Sequence, residues 1–193
     1  SMERFIDSDF IMANDRLARF YGLPAVKGDA FVPVKLPAKS ERGGLIAQAG
    51  FLKLTSTDFA TSPIHRGAWI LKNLYNEKIE PPADILINEP DIRGTTTIRE
   101  AILKHQELES CARCHSKIDP FGFPLEFFDP IGGYRPTYYK VRRWVRPERK
   151  TTFVPSMPVD GSAILPSGEL FTDPLSLKKA LLGKMDFFSK ALA

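Results

Sequence analysis

Both cysteines of the chain and one of its three histidines fall within five residues, Cys111-Ala112-Arg113-Cys114-His115. Two thiols separated by two residues, with an imidazole directly after, restrict the surrounding fold, because all three groups must reach one partner. The spacing is that of a c-type haem attachment site. The sulfurs form thioethers to the two porphyrin vinyl groups, and the imidazole is held under the iron as an axial ligand. Cys111 and Cys114 are thus expected to carry haem c covalently, with His115 as the proximal iron ligand. Two other readings compete. A zinc site wants about four ligands, commonly two such pairs, and outside the motif only His65 and His105 remain as histidines. A thioredoxin-like redox pair wants a βαβ setting, which the flanking sequence does not suggest.

Composition sets wide bounds. A chain of 193 residues is long enough for one domain or two small ones. A net charge of +4 is too small to imply a nucleic-acid partner by itself. No apolar run approaches the roughly 20 residues that cross a bilayer. The opening Ser1-Met2 and a finish inside a helical pattern read as the ends of an excised piece of a larger protein. Haem c is attached outside the cytoplasm, so the motif implies a periplasmic or otherwise exported protein, although no apolar leader is visible.

Taken in order, residues 8–21 read as a helix capped by Ser8, with Gly22 and Pro24 closing it. Residues 31–36 alternate like an edge strand carrying a proline. A short apolar helix is expected from Leu45 to Leu54. Ser62-Pro63 is a helix start, a cap followed by proline at the first helical position. His65 near Trp69 reads as a surface or half-buried histidine, with distal haem ligation as the sharper alternative. The stretch from Pro81 to Gly94 lacks helical periodicity and reads as a surface loop. Thr97 with Glu100 forms a capping box, and Ile98, Ala101, Ile102, His105 and Leu108 share one face of a helix expected to run straight into Cys111. His105 is thereby a candidate for the haem's second shell, bonding a propionate or a backbone carbonyl, or a satisfied core histidine.

Past the motif, Phe121, Phe123, Phe127 and Phe128 fall within eight residues. They read as the dry wall of a haem pocket or as an aromatic core corner. Asp119, Glu126 and Asp129 cluster there too, each readable as a cap or turn residue, and none is assigned chemistry. Arg135 is a candidate propionate contact. The basic segment 140–150, with Tyr138 and Tyr139 before it, reads as an exposed hairpin, as a docking face for an acidic redox partner or a haem propionate contact, or as a nucleic-acid contact. Met157 stands 42 positions after His115 between prolines and is the candidate distal iron ligand, against a plain packing role. Strands Ser162–Leu165 and Glu169–Phe171 flank a turn. A helix begins at Asp173-Pro174, with Leu177, Ala180 and Leu181 inward and Leu175, Lys178, Lys179 and Leu182 riding on it. Phe187, Phe188 and Leu192 are expected to bury a final helix.

The run CARCHSKIDPFGFPLEFFDPIGGYR, from Cys111 to Arg135, resembles the C-terminal region of the planctomycete-type cytochrome c-like proteins. Residues 4–24, 54–75, 92–111 and 159–182 resemble further segments of the same region, in the same order. The chain departs from the pattern between Arg135 and Val159, where a basic insertion holds Met157. The resemblance implies haem c attachment, export, other domains in the parent protein and redox chemistry, without a substrate.

The expected fold is mainly α, a helical cytochrome c-like core around the haem motif with small β-hairpins. Residues 1–132 form the helical region, and 133–193 a hairpin plus C-terminal helices as a subdomain. The leading function is electron transfer by a haem module within a larger exported protein, more a carrier than a catalyst by itself. A peroxidase-like haem enzyme with an open sixth iron position and a non-catalytic binding module are the alternatives. Neither a nucleic-acid partner nor a membrane span is expected.

Overall fold

The computed structural model describes residues 2–57, 60–77, 79, 96–142 and 152–186. Its elements are α1 (Glu3–Ile6), β1 (Phe10–Ala13), α2 (Asp15–Phe20), β2 (Val32–Lys35), a 3-10 turn at Leu45–Ala47, α3 (Ala49–Leu54), α4 (Pro63–Leu74), α5 (Ile98–His105), α6 (Glu109–Gly122), a 3-10 helix at Phe123–Phe127, β3 (Thr137–Arg142), β4 (Thr152–Pro158), β5 (Ala163–Ile164), β6 (Leu170–Phe171) and α7 (Pro174–Leu182).

The mainly helical core expected above is corrected to a mixed architecture. Among the described residues, six strands form three separate two-stranded antiparallel sheets, β1–β2, β3–β4 and β5–β6. The largest departure lies in residues 8–21. Their first half is β1, paired with β2 so that Ile11 faces Val34 and Ala13 faces Val32. Ile11 and Ala13 are buried while Met12 is exposed, the period-2 pattern of a strand. The helix begins only after Asn14, whose Oδ1 accepts the Leu17 N–H at 3.0 Å. Short apolar runs satisfy both periods, and pairing with a distant strand decides between them.

Locally encoded ends form as the sequence dictates. Ser62 Oγ accepts the His65 N–H at 3.2 Å and opens α4. Thr97 and Glu100 make the reciprocal bonds of a capping box on α5. Asp173 Oδ1 accepts the Ser176 N–H at 2.8 Å and opens α7. The Pro81–Gly94 loop, most of segment 140–150, and Phe187, Phe188 and Leu192 lie outside the described residues.

The main core gathers Ile6, Leu52, Ile70, Leu125, Phe128 and Leu177 from both ends of the chain and its middle. Its axis is the crossing of α4 and α6. Gly67 meets the Ile118 carbonyl and Gly122 meets the Pro63 carbonyl so closely that a Cβ would lie 2.0 Å and 1.9 Å from those oxygens. Only hydrogen side chains permit that approach. At the end of α4, Tyr75 packs on Phe121 with ring centroids 5.1 Å apart. Burial, assisted by Glu169, pushes the Tyr75 phenol up to about 12. The unfolded chain releases that proton near pH 10 and the folded chain does not, so this residue makes stability fall as pH rises from about 10 to 12. Tyr75→Phe is expected to flatten that part of the stability curve and to remove the corresponding step from an ultraviolet tyrosine titration. An unchanged titration would reject the assignment.

Candidate functional site

Helix α6 carries Cys111, Cys114 and His115 on its first two turns. Residues three and four apart on a helix are neighbours on one face, so the two sulfurs and the imidazole project along one stripe that continues to Ile118. Both thiols are free; Cys111 is buried and Cys114 half-buried against the core. The helix is not the continuation of α5 that the apolar spacing predicts. The chain breaks at Gln106–Leu108 and restarts at Glu109.

That break brings the end of α5 to the motif. The His105 ring lies 4.8 Å from the His115 ring, tilted by 54°. Burial, and then the neighbouring His115, hold His105 below its ordinary pKa against the opposing pull of Asp119. His115 Nδ1 lies 2.9 Å from Asp119 Oδ2 and 3.1 Å from Oδ1. A carboxylate only accepts, so Nδ1 carries the proton and donates it. Nε2 is then the ring nitrogen with a lone pair for a metal. Gln106 Nε2 donates to Asp119 Oδ2 at 2.7 Å, and the Asp119 side chain is fully buried.

The donor set therefore fits a c-type haem: two free thiols one turn apart, and an imidazole pre-oriented through its far nitrogen. Among the described residues, no group of three or more His, Cys, Asp or Glu side chains is arranged to hold a metal ion. The two further ligands that a structural zinc site would need beside the cysteine pair are not assembled there.

Other candidates take different places. Arg135 is tied into the protein: Nε donates to the Glu126 carbonyl at 3.1 Å, Nη2 to Thr61 Oγ1 at 3.1 Å, and the guanidinium lies over the Tyr138 ring. Met157 rides half-buried on β4, where the register with β3 slips between Thr137 and Tyr139. His65 is exposed on the first turn of α4. The four phenylalanines do not form one wall. Phe121 and Phe128 enter the main core, Phe123 joins Ile102 and Ala163, and Phe127 stacks on Tyr134. Asp129 is the turn residue expected, accepting the N–H groups of Ile131 and Gly133.

Sequence reasoning left two groups without their roles. Asp119 stands four residues after His115, the spacing of helical neighbours, but it also reads as a cap or turn residue and was assigned no chemistry. The helix instead runs through Pro120 to Gly122. The second group is a buried ionic knot. Arg66, 0% exposed, donates through Nη1 to the carbonyls of Leu125 (2.5 Å) and Phe128 (3.0 Å), and through Nη2 to Ser56 Oγ and the Asp129 carbonyl. Its Nη1 faces Glu126 Oε1 at 3.7 Å. Glu126 Oε2 accepts from Thr61 at 2.7 Å, Tyr138 at 3.2 Å and Arg135 at 3.4 Å. Burial lowers the Arg66 guanidinium to about 10, with Glu126 opposing the shift. These groups pin α4 to the chain that leaves α6, and so fix the helix bearing the motif.

A family model described as PSCyt3, a protein of unknown function (DUF1588), matches residues 42–138. That span holds the α4–α6 crossing, the ionic knot and the Cys111–His115 motif. No curated protein matches the chain, and no solved structure matches it. No helix among the described residues is long and apolar enough to cross a membrane.

Proposed function

We propose, from the premise that the chain belongs to the PSCyt3 family of proteins of unknown function, that it is a c-type haem-binding module for electron transfer within a larger exported protein. The observation that carries this reading is the bond from His115 Nδ1 to the buried Asp119, placed beside two free thiols on the same helix face. Haem c, when bound, would supply a one-electron iron couple. Cys111 and Cys114 would anchor the porphyrin, and His115 would present Nε2 to the iron. Asp119 fixes the imidazole's tautomer, and the His105 ring limits its rotation. Met157 is the candidate for the opposite iron face, and the basic segment 140–150 is the candidate docking face for an acidic redox partner. Arg135 would reach a propionate only by giving up part of its contact with Glu126. By the same reading, the parent protein is matured in the periplasm or another exported compartment.

Maturation in a cell with a complete cytochrome c assembly system tests this. One covalent haem per chain by pyridine haemochrome is expected, and none in a Cys111→Ala/Cys114→Ala variant. A wild-type chain without covalent haem after such maturation would overturn the reading. A six-coordinate low-spin spectrum indifferent to carbon monoxide separates the carrier from a peroxidase-like enzyme with an open iron position, which would bind it.

A further inference from the structure

The Asp119 carboxylate occupies an expensive position. It is fully buried, and among the described residues its hydrogen-bond partners are the His115 ring and the Gln106 amide. Neither partner carries a fixed positive charge. Removing a carboxylate from water without a formal cation beside it is strongly unfavourable. A position needed only for packing would be better filled by an apolar side chain. The charge is instead aimed at one atom, the Nδ1–H of His115, from one helical turn further along. The preceding helix supplies the counterweight: Gln106, at the break after α5, donates to Oδ2, the same oxygen that lies 2.9 Å from His115 Nδ1.

Resting on the haem reading above, we propose that Asp119 is a positioning residue that sets the electron-donating strength of His115, and that Gln106 moderates it. A carboxylate accepting the Nδ1–H bond shifts negative charge onto the ring and makes Nε2 a stronger base. A stronger donor favours ferric over ferrous iron, so the couple moves to lower potential. Gln106 shares the carboxylate's negative charge and reduces its pull on the imidazole proton. The His105 ring holds the imidazole plane in the orientation that keeps the bond short. The couple then lies lower than the same iron ligands would give without the carboxylate.

The test uses the matured, haem-loaded chain. Covalent haem is measured first, by pyridine haemochrome, and the ferric:ferrous ratio second, by spectroelectrochemistry at a fixed poise. Asp119→Asn is expected to lower that ratio at least tenfold, which is about 59 mV for a one-electron couple. Asp119→Glu, which keeps the charge, is expected to restore most of it. Gln106→Leu is expected to move the ratio the other way, because the carboxylate then turns fully to His115. A purely structural Asp119 would leave the ratio where it is. Haem-loaded Asp119→Asn with the wild-type ratio therefore overturns the proposal while the haem reading stands. Should Asp119→Asn fail to fold, the half-buried Gln106→Leu carries the test, and a ratio that stays or falls overturns the proposal. A wild-type chain that takes no covalent haem removes the haem reading and this inference with it.

Discussion

Arg66→Met is expected to destabilise the protein by about 3–5 kcal/mol, the range seen when one partner of a buried ion pair is removed. Two losses combine. The carbonyls of Leu125, Phe128 and Asp129 lose the donor that reaches all three. Glu126, 1% exposed, is left with Thr61, Tyr138 and the partly exposed Arg135. Urea denaturation measures the change. Arg66→Lys retains the charge but cannot span the three carbonyls, because an ammonium lacks the planar fork; an intermediate loss is expected. Arg66→Met combined with Glu126→Gln should recover part of the stability, since no unpaired charge then stays buried. A single Arg66→Met variant within about 0.5 kcal/mol of wild type, as at an ordinary surface site, would show that the knot contributes nothing.

Gly122→Ala is expected to have a comparable effect through a different cause. Its Cβ would lie 1.9 Å from the Pro63 carbonyl oxygen, and Gly67→Ala would place one 2.0 Å from the Ile118 carbonyl oxygen. Overpacking commonly costs about 1–3 kcal/mol when side chains can shift. Here the obstacle is backbone on both sides, so the two helices themselves must part. A loss of about 3 kcal/mol or more is expected, which corresponds to a melting temperature lower by roughly 6–12 °C for a chain of this size. Calorimetry reads it directly. A shift under about 2 °C would mean that the crossing is looser than these contacts indicate. On the haem reading proposed above, the same substitution is expected to reduce the yield of covalent haem along with stability, because α6 carries Cys111, Cys114 and His115.

The parts legible in the sequence are those set by neighbours in the chain. Ser62-Pro63, Thr97 with Glu100, and Asp173-Pro174 each form their helix start from atoms within four residues. The hairpin at Ala163–Phe171 was readable from its turn, and the strand at Val32–Lys35 from its own alternation and proline. Residues 10–13 were not, because their strand exists only through pairing with 32–35. Arg66, Glu126 and Lys178 look like surface charges in the sequence. Their partners lie far away along the chain, and no local pattern announces them. Within the site, the cysteines and His115 were readable from spacing. The contact of His105 with His115 depended on an unpredicted break at Gln106–Leu108, and Asp119 was read as a cap or turn residue although the helix runs on past it.

Lys178 shows what such distant pairing means for the order in which the chain acquires its structure. Its ammonium, 1% exposed, donates to Asp7 at 2.7 Å and to the carbonyls of Arg42 and Ser40 at 2.9 Å and 3.3 Å. Those acceptors leave a ribosome at least 136 residues before the donor does. Contacts closing so long a loop form late and slow the search for the native arrangement. A nascent chain stalled before α7 would lack both that donor and Leu177 and Leu181 of the main core. Translational arrest just before and just after α7 should therefore bracket the appearance of protease resistance.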